Sequence, residues 1–289
     1  MASSDDGQAG YINGYVDIAF EVDDGIAFVT LNHPERLNAL SRRMLGELVD
    51  VFSAIAETPQ IHVVVVKGAG RAFSAGADLS QAPPPKPKHA VDMEYLVEQK
   101  IVFGYAQRFR QMLWDTPQPV ICQLHGYCMT LSVELAMNCD LVYASNDAKI
   151  AWRSNGGSGR YIHLWPWLVG VRRTKELLFT GRLLSGEEAA AMGMVNAALP
   201  PDELDGHVRN VARQLTRVPL PFLALEKQAS NACLDLMGAR YGTEIAGVLH
   251  AVSHLTSASH EQAEAIHSND WRTAVQRRNA RYTVDGGQA

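Results

Sequence analysis

At 289 residues, 47% of them apolar and 20% charged, the chain can bury a large core and is too apolar to be disordered over most of its length. Lys and Arg number 26 against 31 for Asp and Glu, a net charge of -5, which argues against finding a nucleic acid or an anionic membrane by bulk electrostatics. No run approaches the ~20 continuous apolar residues that span a bilayer. The opening MASSDDGQAG has two acids and no apolar stretch, so residues 1–13 are expected to be a loose tail rather than a secretory signal.

Residues 17–22 and 26–31 flank Asp23, Asp24 and Gly25, which reads as a β-hairpin with a glycine-assisted turn. After Pro34 the period changes. Leu40, Met44, Leu45, Leu48, Val51, Phe52 and Ile55 recur at three and four residues behind Ser41, which predicts an amphipathic helix with Ser41 as its N-cap. The run His62, Val63, Val64, Val65, Val66 has no polar alternation, the mark of a strand buried on both faces of a parallel sheet. QAPPPKPK at residues 81–88 reads as a semi-stiff exposed loop.

A long helix is expected over 91–114, stopped by Asp115, Thr116 and Pro117. Further strands are expected at 119–124, 140–144 and 149–152, with a short helix at 131–137. Ser185 and Glu188 form a capping box with Gly193 as the stop. From Pro201 onward only helical patterns occur. Strands alternating with helices predict α/β layering with crossover connections. Cys122, Cys128, Cys139 and Cys233 make no CxxC pair and sit in apolar surroundings, which predicts buried thiols in a reducing, cytoplasmic compartment and no metal site.

Candidate chemistry gathers at strand ends. AFSAGAD at 72–78 follows a buried strand, and such a small-residue turn lets ligand atoms approach backbone N–H groups. Glu134 interrupts an otherwise apolar helix. A carboxyl in that setting is hydrogen-bonded, ion-paired or raised in pKa, and a raised pKa suits proton transfer. His125 reads as a hydrogen-bonded core histidine, His163 as packed or exposed, and Asp140 as a turn anchor.

LNHPERLNAL at 31–40, AFSAGAD at 72–78, Gly126 with Tyr127, ELAMNCD at 134–140, LFTG at 178–181 and GMVN at 193–196 together resemble the crotonase superfamily, which contains the enoyl-CoA hydratases and isomerases. The resemblance implies an α/β fold, a repeated ββα spiral core over 14–200, and a helical C-terminal oligomerisation region over 201–289. It implies an acyl-CoA thioester as substrate, CoA entering only as part of that substrate, no separate cofactor, and a homotrimer or a hexamer made of two trimers.

Carried over residue by residue, the resemblance makes the N–H groups of Ala77 and Leu131 the donors to the thioester oxygen and Glu134 the catalytic glutamate. Arg36 and Leu37 match positions beside the CoA adenine, and Ala75, Gly76 and Asp78 line the same loop. Thr130, Leu131 and Ser132 stand where the family usually has glycines. The second glutamate of a hydratase matches Ser154, and WRSNGGSGRYIH at 152–163 contains no acid. The expected activity is that of an enoyl-CoA hydratase/isomerase. The alternatives are an isomerase or hydrolase of this fold without hydratase activity, or a CoA-thioester-binding protein with little turnover.

Overall fold

The structure, a computed structural model, describes residues 14–81, 93–153, 164–254, 256–267 and 271–282. It opens with the expected hairpin, β1 (Ile18–Asp23) antiparallel to β2 (Ile26–Leu31). The turn places Asp24 at φ 48° and Gly25 at φ 75°, the paired positive dihedrals that match the twist of two-residue hairpins. Helix α1 (Arg42–Ala56) follows, and the Ser41 side chain accepts the Met44 N–H at its N-cap.

Then a unit repeats. β3 (Val63–Gly68) is followed by β4 (Ala72–Ser74), and the long helix α2 (Met93–Asp115) leads to β5 (Val120–Leu124). After β5 come β6 (Tyr127–Met129), α3 (Leu131–Met137), β7 (Leu141–Ser145) and β8 (Lys149–Ala151). The first strand of each pair enters a six-stranded sheet ordered β1-β2-β3-β5-β7-β9. The second enters a three-stranded sheet ordered β4-β6-β8. Only β1 and β2 are antiparallel; every other pairing is parallel. This is the repeated layering that the resemblance implies.

The chain steps between sheets through tight turns. At Gly126, φ is 56° and an added Cβ would strike the Arg71 carbonyl, so glycine alone lets β5 turn directly into β6. Helices α4 (Trp165–Leu168), α5 (Val171–Thr180) and α6 (Gly186–Ala191) precede β9 (Ala197–Leu199). Ser185 and Glu188 form the predicted capping box. The remaining described elements are helical: α7 (Pro201–Thr216), α8 (Leu220–Leu236), α9 (Ala239–Ser253), α10 (Ser257–His267) and α11 (Trp271–Ala280).

The six-stranded sheet is buried on both faces, which explains the unbroken valine run. Val64 and Val66 point into the main core with α1, α2 and α3, where Phe52 and Phe109 pack edge to face at 5.1 Å. Val63 and Val65 point the other way, with Phe28 and Ile121, onto Leu204, Val208 and Ala212 of α7. Helix α7 is thus a layer of the fold rather than an addition to it.

Several expectations shift. The helix read over 91–114 runs Met93–Asp115, and the strand read over 149–152 ends at Ala151. Strands β4, β6 and β9 were not anticipated, since three residues are too few to show a period, and neither were helices α4 and α5. Cys122 and Cys128 are buried, and burial pushes the Cys128 thiol up to about 12. Cys233 corrects the reading of four apolar sites, because it is exposed on α8. The proline-rich segment after Gln81, Ser154 and His163 lie outside the described residues.

Candidate active site

Three loops meet at the carboxyl ends of β2, β4 and β6. The first begins with a 3-10 turn over Pro34–Arg36, after which Leu37 and Asn38 both adopt φ 52°. Asn38 tolerates this left-handed conformation because its side chain can bond locally. Fully buried, it accepts the His33 N–H at 2.9 Å and donates to Ala69 O and Ala72 O, both at 2.8 Å. That stitches the first loop to the second.

The second loop is the small-residue turn after β4. The Ala75 N–H donates to Leu37 O, Leu40 N–H to Gly76 O, and Asp78 N–H to Leu40 O, at 2.8, 2.7 and 3.1 Å. Leu40 and Ala77 thereby form an isolated parallel bridge. In such a bridge the N–H groups on either side alternate in direction, so the Ala77 N–H faces away from Leu40. It has no hydrogen-bond partner among the described residues. Ser74 closes the turn, donating to Asn38 O at 2.7 Å and accepting the Gly76 N–H at 3.1 Å.

The third loop is the start of α3. Thr130 is its N-cap and Leu131 its first residue, so the Leu131 N–H is one of the helix-end donors with no carbonyl behind it. It too lacks a partner among the described residues. Ser132 ties this loop to the second: its hydroxyl accepts the Met129 N–H at 2.9 Å and lies 2.9 Å from Ser74 O. Gly76 and Thr130 are in direct contact, since any side chain at Gly76 would collide with Thr130 Oγ1.

Glu134 stands one turn along α3 from Leu131 and therefore on the same face. It is 1% exposed, and neither carboxyl oxygen has a hydrogen-bond partner among the described residues. Burial raises its pKa well above the ordinary carboxylate value, with the Arg110 charge on α2 pulling partly the other way. Two unpartnered N–H donors and one buried acid with an elevated pKa can stabilise a developing oxyanion and move a proton beside it.

Arg36 and Asp78 are brought together at 3.3 Å. Arg36 also donates to Ser80 Oγ at 3.0 Å, and Asp78 Oδ1 accepts the Ser80 N–H and hydroxyl. The Asp78 carboxylate is thus engaged, whereas that of Glu134 is not. Leu37, Ala75 and Gly76 lie where the first two loops are bonded together. Ser154 cannot be placed among them, because it lies outside the described residues.

His125 bonds Gly70 O at 2.9 Å, so the expected hydrogen bond is present, but the ring is only half-buried in the turn and is not a core residue. Residues the sequence did not single out are Asn38, Ser74 and Arg110. Asn38 was visible only as one member of the motif at 31–40. Among the described residues no three His, Cys, Asp or Glu side chains cluster to hold a metal, and no helix is long and apolar enough to cross a membrane.

A family model for enoyl-CoA hydratase/isomerase matches residues 21–267. The chain belongs to the enoyl-CoA hydratase/isomerase family. It is 32% identical over 286 residues to a putative enoyl-CoA hydratase of Mycobacterium tuberculosis, covering 90% of this chain and 89% of that one. It is 28% identical over 225 residues to a crotonyl-CoA hydratase of Syntrophomonas wolfei, covering 75% and 82%. Among solved structures, an enoyl-CoA hydratase/isomerase from Xanthobacter autotrophicus superposes with a TM-score of 0.84 at 28% identity, covering 94% of this chain and 100% of that one. These neighbours share the crotonase fold, and the layered sheets described above are its α/β architecture.

Proposed function

We propose that this family member acts on an enoyl-CoA thioester through an enolate. The thioester oxygen accepts hydrogen bonds from the Ala77 and Leu131 N–H groups, which stabilise the charge it gains in the transition state. Glu134 moves the proton. In hydration it takes a proton from water as the hydroxyl adds to the β-carbon. The electron pair then moves onto the thioester oxygen, and as the enolate collapses Glu134 returns the proton to the α-carbon, which restores its carboxylate. Arg36, Leu37, Ala75, Gly76 and Asp78 form the wall along which the CoA moiety lies, and CoA enters only as part of the substrate.

The observation that carries this reading is the buried Glu134 carboxyl one helical turn from the Leu131 N–H, neither with a hydrogen-bond partner among the described residues. The names of the relatives favour hydration. A second reading, isomerisation of a double bond, is favoured by the state of the other acids: Asp78 is engaged by Arg36 and Ser80, and residues 152–163 contain none. One carboxyl suffices to lift a proton from one carbon and return it to another.

Product analysis of a 2-enoyl and a 3-enoyl thioester separates the two. A 3-hydroxyacyl product establishes hydration, and a displaced double bond establishes isomerisation. Binding of both thioesters with neither product would overturn the enzymatic reading. A homotrimer or hexamer is supported by Tyr241, Ile245, Val248, Leu249 and Val252, an exposed apolar stripe along α9 of the kind that marks subunit contacts; light scattering gives the mass. The four free thiols fit a reducing compartment such as the cytoplasm.

A further inference from the structure

Thr130 adopts a backbone that its residue type disfavours. It is β-branched, yet it sits at φ 51° and ψ -117°, a region open to glycine and strained for a branched side chain. Its N–H donates to Ala151 O at 2.9 Å and its carbonyl accepts the Val133 N–H at 3.1 Å, so the conformation is held from both sides. Its hydroxyl is buried and has no hydrogen-bond partner among the described residues.

That hydroxyl lies against Gly76, where any side chain would collide with Thr130 Oγ1 and the Met129 carbonyl. Gly76 itself has φ 88°. A strained backbone and an unpaired polar atom therefore fall on one residue, at a point where the loops of Ala77 and Leu131 touch. Both features oppose folding, and strain of this kind persists where the geometry it enforces is used.

We propose that Thr130 is a positioning residue whose side chain, wedged against Gly76, sets the separation of the Ala77 and Leu131 N–H groups; this rests on reading those groups as the thioester-oxygen site. Ala77 follows Gly76 and Leu131 follows Thr130, so the contact is one peptide unit from each donor. Thr130→Gly would remove the side chain that fills this contact. Displacing a donor by even a fraction of an ångström weakens its bond to an oxyanion.

The test compares wild type, Thr130→Gly and Thr130→Ser in three readouts: thermal midpoint, kcat against KM, and the red shift of cinnamoyl-CoA absorbance when its carbonyl is polarised on binding. Thr130→Gly is expected to keep or raise the midpoint while lowering kcat by about tenfold or more. KM should change little, and the red shift should shrink. Thr130→Ser, which keeps the hydroxyl, is expected to restore most of kcat and of the shift.

A Thr130→Gly variant with wild-type kcat and red shift overturns the proposal, whatever its midpoint. So does a variant that loses stability without losing kcat, which would make the contact one of packing alone. Turnover in wild type with an unaffected Thr130→Gly sinks the wedge and spares the functional reading. Wild type showing neither turnover nor red shift sinks both.

Discussion

Lys227 Nζ on α8 lies 2.7 Å from Asp140 Oδ2, at the junction between α3 and β7. The lysine is 6% exposed and also donates to Leu113 O and Gln118 O at 2.8 and 3.2 Å. Asp140 accepts the Val120 N–H at 2.7 Å through the same oxygen. Burial drives the Asp140 carboxyl up, with Lys227 and the hydrogen bonds working against it. The ion pair therefore locks the end of α2, the start of β5 and the exit of α3 to the C-terminal helices. Lys227→Met would leave a partly buried carboxylate without its cation, at a cost of about 1–3 kcal/mol. Urea unfolding is expected to show this loss, with part of it recovered when Asp140→Asn is added.

Glu134 is expected to oppose folding at neutral pH. Its folded pKa lies above the ordinary value of 4.5 because of burial. Between those two values the native state holds a proton that the unfolded state has released, so stability falls as pH rises through that window. Glu134→Gln has no such dependence. Its thermal midpoint should exceed that of wild type, and the stability gap should widen with pH by up to about 1.4 kcal/mol per unit. Melting curves across the acid-to-neutral range check the sign. A gap that stays constant or narrows would mean the carboxyl is ionised and paired in the native state.

Asn38→Ala should be among the most damaging single changes near the site. It removes the side-chain bonds to His33, Ala69 and Ala72 and leaves buried backbone groups unpaired, at about 1–3 kcal/mol for each group left without a partner. The loop that orients Ala77 would loosen as well. Denaturant midpoint and kcat are both expected to fall, and an unchanged kcat in the folded variant would separate this network from the site.

Acid stability should depend on Asp17. Burial of its carboxyl favours the neutral form, but hydrogen bonds from Arg43 and Ser41 and the Arg43 charge outweigh it and hold the pKa below 3.8. A depressed pKa contributes stability that is present above the unfolded value and disappears as pH drops through the folded one. Asp17→Asn should therefore be less stable than wild type at neutral pH, with the difference shrinking below pH 3.8. Arg43 is 57% exposed, so solvent screening keeps its share small.

How much of this was legible varies by element. The valine run of β3 and the caps Ser41 and Ser185 could be read directly, because β-branched periodicity and capping chemistry are local. Strands β4 and β6 were not, since three residues gain strand geometry only from their parallel partners. Glu134 stood out as an acid in an apolar helix, and its burial agrees. The Ala77 and Leu131 N–H groups were reached only through resemblance, because a free amide has no side-chain signature. Asn38 bonds residues 31 and 34 positions away, a relation no local pattern encodes. The strain at Thr130 likewise depends on Gly76, which reaches it from another loop.

Glu134 acting beside two backbone N–H groups is the claim on which the rest turns. It is tested most directly by following the conjugated-thioester absorbance of a 2-enoyl-CoA, or its appearance from a 3-enoyl-CoA, with wild type and Glu134→Gln side by side. The expected result is turnover by wild type and a loss of about 10²-fold or more in the variant, with thioester binding retained. Equal rates in both proteins would contradict it and assign the proton transfer to another group.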